Sequence, residues 1–187
     1  MSPVFRHLCS WENLVLAWRK AACGKRSTAS VARFEYRAEE HLAKLQRELL
    51  AGTYRPGGYV HFLIKDPKRR KISAARFRDR VVHHALCNLI EPRFERLFMP
   101  DSYANRAGKG THQAIDRLQG LARRYRYVLR ADIVQHFASV DHAILLDILR
   151  RQIPEADIMA LVEAIVESGR GVLDEEFRYV SSPGTTC

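Results

Sequence analysis

At 187 residues the chain can bury one good core, or one domain with a smaller appendage. Its 31 Lys and Arg against 21 Asp and Glu leave a formal charge of +10, which favours a polyanionic partner. No apolar run approaches the ~20 residues that span a bilayer, and Met1-Ser2-Pro3 opens no signal-peptide pattern, so a cytoplasmic protein is expected.

Cys9, Cys23, Cys87 and Cys187 lie far apart without a Cys-x-x-Cys pair, which predicts reduced thiols and excludes a zinc site or disulfide frame. In chain order, Trp11, Leu14, Val15, Trp18 and Ala22 recur at helical spacing, and Gly24 closes that helix. A second helix is predicted from about Val31 to Leu50, with Phe34, Ala38, Leu42, Leu45 and Leu49 on one face and Gly52 at its stop. The Trp and Phe stripes are expected in the core. Basic residues outside, such as Lys20, Arg33 and Arg47, suit a nucleic-acid backbone or plain solvation. Tyr54 to Gly58 reads as a linker, then Tyr59 to Ile64 and Arg70 to Ser73 as two short strands around Asp66-Pro67-Lys68.

A helix is expected from Arg78 to Ile90, ended by Glu91-Pro92 and turning Val81, Val82, Ala85, Leu86, Leu89 and Ile90 inward. On it the neighbours His83 and His84 point in different directions, one expected buried and the other exposed. A loop from Met99 to Gly110 leads to a helix capped by Thr111 and running to about Arg124. Tyr127 to Asp132 reads as an apolar strand, Asp141 as the cap of a helix to Arg151, and the residues beyond Pro154 as an amphipathic helix to Ser168.

Charge is unevenly placed along these elements. Between Lys65 and Arg80 stand eight basic residues and two acids, whereas Pro154 to Glu176 holds seven acids and one base, Arg170. A merely solubilising surface would mix the signs more evenly, so the middle of the chain reads as a face for nucleic acid or nucleotide phosphate.

Three blocks sharpen that reading: Lys65 to Leu86, Asp101 to Ile115 (Asp-Ser-Tyr-Ala-Asn-Arg-Ala-Gly-Lys-Gly-Thr-His-Gln-Ala-Ile), and Tyr127 to His142 around Asp132. In sequence and order they resemble the fingers and first palm motifs of bacterial reverse transcriptases, the group that includes group II intron, diversity-generating and retron-type enzymes, over roughly residues 1 to 180. The resemblance implies template-directed nucleotidyl transfer by two metal ions held ~4 Å apart. Asp132 matches the first catalytic aspartate and Mg²⁺ ligand, and Ile133 would lend its backbone carbonyl to one ion. Asp141 reads as a helix cap and not a metal ligand.

In the family a Lys and an Arg of the hairpin hold the incoming triphosphate. Lys65 and Arg70 are the best positional matches, and Lys68, Arg69 and Lys71 crowd the same turn as nucleic-acid contacts, which leaves the exact pair open. Phe137 stands where the family places an aromatic gate against the ribose 2′-hydroxyl, although His136 replaces a usual second aromatic. Ser102 to His112 is a Gly-flanked loop into a helix start. There Arg106 and Lys109 are candidates for nucleotide and template contact, and Tyr103 with Arg106 could equally lock the fingers to the palm.

The expected fold is α+β: mostly helical fingers with a basic β-hairpin, plus part of a right-hand polymerase palm. The expected division is an N-terminal helical extension (1–53), a fingers region (54–125) and a partial palm (126–187). The family's Gly-Leu-Pro-x-Gly and Tyr-x-Asp-Asp blocks and its thumb do not occur in these 187 residues, so a truncated, inactive form is expected. Implied partners are an RNA template, a DNA primer, deoxynucleoside triphosphates and two Mg²⁺ ions, with no membrane and any accessory protein unidentified. A non-catalytic RNA-binding module that uses the basic hairpin is the alternative.

Overall fold

The computed structural model describes residues 1–65, 70–106, 108–134, 136 and 139–172. These fall into two compact units, Met1–Ile90 with the described residues from Val140 onward, and Glu91–Ser139. The architecture is mostly helical with one two-stranded antiparallel sheet, the α+β composition expected from the sequence.

The first unit opens on a short helix that periodicity did not reveal, α1 (Pro3–Leu8). Its signal is local chemistry: the Ser2 hydroxyl accepts from the Phe5 N–H at 3.1 Å, and Pro3 stands in the first turn, where its missing N–H costs nothing. Ser2 also donates its N–H and hydroxyl to the Asp157 carboxylate at 2.5 and 2.8 Å, tying the N-terminus to a helix near the other end of the chain. Burial alone would raise the Asp157 pKa, but these donations outweigh it and hold the carboxyl below its usual range.

Ser10 caps α2 (Trp11–Ala22), which buries Leu14, Ala17 and Ala21 against the core. The expected stripe is therefore rotated: Trp11 is exposed and Trp18 half-buried, because the small Ala17 and Ala21 let neighbouring helices approach on that face. Asn13 occupies the same inward face and is satisfied throughout. Its Nδ2 donates to the Leu8 and Ala85 carbonyls at 2.9 and 3.1 Å, and its Oδ1 accepts from Asn88 at 2.9 Å.

The single helix expected over Val31 to Leu50 is two, α3 (Ala29–Glu35) and α4 (Ala38–Leu50), because Arg37 leaves helical dihedrals at φ −134° and ψ 46°. The corner allows the Phe34 ring to stack on His41 at 4.8 Å and meet Phe77 edge-on at 5.0 Å. In an unbroken helix, positions seven apart lie about 10 Å apart along the axis, too far for that stack. Glu39 and Glu40 then fall in the first turn of α4, where the helix dipole favours acids. Leu42, Leu45 and Leu49 are buried as expected.

The linker leads to β1 (Tyr59–Ile64) and β2 (Arg70–Ala75), paired antiparallel from Tyr59 opposite Ala75 to Ile64 opposite Arg70. After them α5 (Phe77–Glu95) runs through Pro92 instead of stopping at Ile90. The proline's fixed φ is compatible with a helix, so the chain loses one hydrogen bond there without breaking. Phe77, Val81, Val82, Ala85 and Leu86 are buried on α5, while Leu89 and Ile90 are half-buried, and so are both His83 and His84. The unit resumes with α7 (His142–Gln152) and α8 (Ala156–Ser168), the latter burying Ile158, Met159, Leu161 and Val162. Asp141 caps α7 as read, its Oδ1 accepting from Ala143 and Ile144 at 2.7 and 3.2 Å.

In the second unit the loop ends at Gly110, whose φ of +134° only glycine adopts at ease, and α6 (Thr111–Ala122) follows. Thr111 is thus the first helical residue and not the cap. The strand expected over Tyr127 to Asp132 is irregular, exposed backbone. A strand exists only when its ladder is filled, and the sole sheet among the described residues is the two-stranded β1–β2 pair.

None of Cys9, Cys23 and Cys87 is in a disulfide. Burial first, then the nearby Asp157, pushes the Cys9 thiol up to about 12, so it behaves as a small core hydrophobe. Among the described residues no helix is long and apolar enough to cross a membrane.

Candidate nucleic-acid interface

The hairpin stands on a base built by one buried acid. Asp79, only 2% exposed, accepts from the Tyr54 hydroxyl at 2.9 Å through Oδ1 and from the Gly57 N–H at 3.0 Å through Oδ2. A Cβ at Gly57 would meet Asp79 Oδ2 at 3.0 Å, so any larger residue there requires the Asp79 side chain to give by a few tenths of an ångström. Burial and then the Asp79 charge push the Tyr54 phenol well above its ordinary pKa, keeping it a donor. Arg78 ion-pairs with Glu48 and lies 5.3 Å from the centroid of the Tyr54 ring. The first turn of α5 and the end of α4 thereby clamp the linker where β1 begins. Sequence reasoning passed over Asp79, Tyr54 and Gly57; the signal was an acid standing alone amid the bases of Arg76 to Arg80.

Register places the hairpin's polar groups. Leu63 faces Lys71 and His61 faces Ser73, with His61 Nδ1 and the Ser73 hydroxyl 2.8 Å apart. Val60, Phe62, Leu63 and Ile64 are all substantially exposed, as befits a sheet of only two strands among the described residues. Lys65 follows β1 and is exposed, and Arg70 opens β2 opposite Ile64. Lys68 and Arg69 lie outside the described residues, as does Phe137. The basic run is not uniformly available for a ligand: Arg78 is committed to Glu48, and Arg80 lies over Phe77 at 5.2 Å with its pKa lowered by burial.

In the second unit Arg106 holds its loop. Nε donates to Glu95 Oε2 at 2.9 Å, NH1 to the Met99 and Ser102 carbonyls at 2.9 and 3.2 Å, and NH2 to the Glu95 carbonyl at 3.2 Å. NH2 also pairs with Glu95 Oε2 at 2.9 Å, and the side chain is 10% exposed. A guanidinium has five N–H donors, and these contacts engage Arg106 with its own loop and with Glu95. Lys109 donates to the Pro100 carbonyl and sits 5.1 Å from the centroid of the Tyr103 ring. The Tyr103 hydroxyl donates to Asp101 at 3.0 Å, and Arg117 grips the same carboxylate at 2.9 and 3.0 Å. The Arg117 and Tyr103 hydrogen bonds lower the Asp101 pKa.

Asp132 is exposed, with Oδ1 accepting from the Ile133 N–H at 2.9 Å. Its carboxylate and the Ile133 carbonyl suit a hard cation such as Mg²⁺ but supply a minority of the six oxygens it takes. Among the described residues no group of three or more His, Cys, Asp or Glu gathers for a metal. Lys65, Arg70 and Lys71 thus share one hairpin in the first unit, and Arg106 and Lys109 share one loop in the second.

Comparison with known proteins agrees in direction with these motifs. No family model matches the chain. It is 30% identical to Protein YkfC of Escherichia coli over 67% of this chain and 35% of that protein. It is 24% identical to nuclear intron maturase 2, mitochondrial, of Arabidopsis thaliana over 84% of this chain and 24% of the relative. It is also 23% identical to the group II intron-encoded protein LtrA of Lactococcus lactis subsp. cremoris, over 71% and 22%. The chain spans about a third or less of the length of these relatives, and it is distantly related to intron maturases and group II intron-encoded proteins.

Proposed function

We propose that this chain is the RNA-binding fingers region and first palm segment of an RNA-directed DNA polymerase of the intron-maturase kind. The observation that carries the proposal is the exposed basic hairpin, braced at its base by Asp79, in a chain distantly related to intron maturases. Lys65, Arg70 and Lys71, with Lys68 and Arg69 of the turn, would bind template RNA and the triphosphate of a deoxynucleotide at the primer end. Asp132 and the Ile133 carbonyl would supply part of the Mg²⁺ site, and Arg106 and Lys109 would hold the loop between hairpin and acid. Phe137 would serve as the sugar gate. In an enzyme completed with a relative's palm and thumb, Phe137→Ala should raise ribonucleotide incorporation, and unchanged sugar selectivity in an active variant would place the ring in a core.

Asp132 is exposed, and among the described residues no group of three or more His, Cys, Asp or Glu gathers for a metal, which favours a second reading in which the 187 residues bind RNA without extending a primer. Both readings require electrostatic binding. The chain should bind RNA with little sequence preference, each phosphate contact adding about −0.7 to the log-log salt slope on single strands. Lys65→Ala with Lys71→Ala should flatten that slope by about one to two contacts. Binding by fluorescence anisotropy that ignores salt, or that the double variant leaves unaltered, would remove the hairpin from the interface.

A further inference from the structure

Trp11, Val15 and Trp18 form a second apolar stripe on α2, beside the one that Leu14, Ala17 and Ala21 bury. They line a groove of about 510 Å³ whose other wall is the α3–α4 corner, with Glu35, Tyr36, Glu39 and Glu40. Trp11 is 39% exposed and Tyr36 is 87% exposed, so two aromatic side chains flank an opening that none of the described helices fills. Three carboxylates and one base, Arg37, belong to the lining, a local excess of two negative charges on a chain of net charge +10.

We propose that this groove docks an extended segment of a partner protein through an arginine or lysine side chain. Aromatic faces attract a cation, and carboxylates beside them add charge-assisted hydrogen bonds to the same group. The volume lies in the range of pockets that hold a small ligand or a few residues of peptide. The local ion pairs are weak competitors. Arg37 meets Glu40 at 3.4 Å with both side chains more than 60% exposed, and Arg26 reaches Glu35 at 3.3 Å from a position 66% exposed. Phosphate is the wrong partner here, because the acids repel it while the hairpin attracts it; the groove therefore binds protein on a chain whose other charged face suits RNA.

Trp11 and Trp18 are the only two tryptophans of the chain, so indole emission reads this groove directly. The 187-residue chain is titrated with a short peptide of alternating arginine and proline, with the same peptide carrying glutamate for arginine, and with oligouridylate. The arginine peptide should give a saturable emission change and the glutamate peptide none. Glu39→Lys with Glu40→Lys should weaken the arginine peptide roughly tenfold, as two lost exposed ion pairs imply. The neutral pair Glu39→Gln with Glu40→Gln should weaken it less, with circular dichroism melts confirming that both variants fold. Absence of any change with the arginine peptide, binding indifferent to the charge variants, or a larger response to oligouridylate would each overturn the proposal, the last by making the groove a base-stacking site.

Discussion

Helix α2 of the first unit and the Tyr127–Val134 stretch of the second are both rich in apolar residues, yet they meet opposite fates. On α2, Leu14, Ala17 and Ala21 are sealed against other helices, and even the polar Asn13 is buried with every hydrogen bond made. In the second stretch Leu129 is 92% exposed, and none of the described residues of Glu91–Ser139 is buried. Apolar content thus specifies a core only where a second surface is present to receive it. A helix satisfies its own backbone and needs that surface for one stripe; a strand needs a neighbour for its ladder as well.

The contrast is broken most directly by paired truncations. Leu45→Ala, deep in the first unit, should cost about 3 kcal/mol through lost burial and a residual cavity. Leu129→Ala should stay within about 0.5 kcal/mol. Urea denaturation of both variants settles the matter, and a Leu129→Ala cost approaching that of Leu45→Ala would mean the stretch packs in solution.

A smaller effect separates the hairpin's base from its strands. Asp79→Ala orphans the Tyr54 hydroxyl and the Gly57 N–H, at about 2 kcal/mol. Asp79→Asn, which keeps one acceptor of the right shape, should recover part of that. In the proposed role Asp79→Asn should also preserve the salt slope of RNA binding, since the hairpin keeps its charges. If Asp79→Ala left stability untouched, the linker would be anchored elsewhere, and Arg78 against Tyr54 would be the next residue to remove.

How much of this was legible in the sequence depends on what each feature draws upon. The α4 face, the Gly24 and Gly52 stops, the Asp141 cap and the two hairpin strands rest on local period and capping chemistry, which a short window contains. The Arg37 corner was hidden because it is set by Phe34 reaching His41 and Phe77, a tertiary choice that overrides a continuous helical pattern. Likewise the Asp79 clamp joins residues more than twenty positions apart, so the basic run around it read as uniform charge. Arg106 shows the same limit: a basic residue in a Gly-flanked loop suggests phosphate, and only the placement of Glu95, Met99 and Ser102 reveals that its donors are spoken for.

The smallest expected effect concerns pH, and it again sets the packed unit against the open one. His83, half-buried on α5, has its pKa lowered chiefly by burial; Asp79 pulls the other way, and His84 and Arg80 reinforce the lowering. The unfolded chain therefore takes up a proton near pH 6.5, while the folded chain does so only at lower pH, so between those two points the unfolded state binds more protons and stability falls with acidification. Melting temperature should decline as pH drops below about 6.5 and level off below the folded pKa of His83 as far as this group contributes. The depressed carboxyls Asp157 and Asp101 add their own losses further down, as pH falls from the unfolded carboxylate range toward their folded values. His83→Gln keeps a polar side chain that does not titrate, so its melting temperature should be flatter than the parent's between pH 7 and 5.5. A parent and variant with parallel profiles there would mean that His83 protonates as readily in the folded chain as outside it, and that α5 admits water at this position.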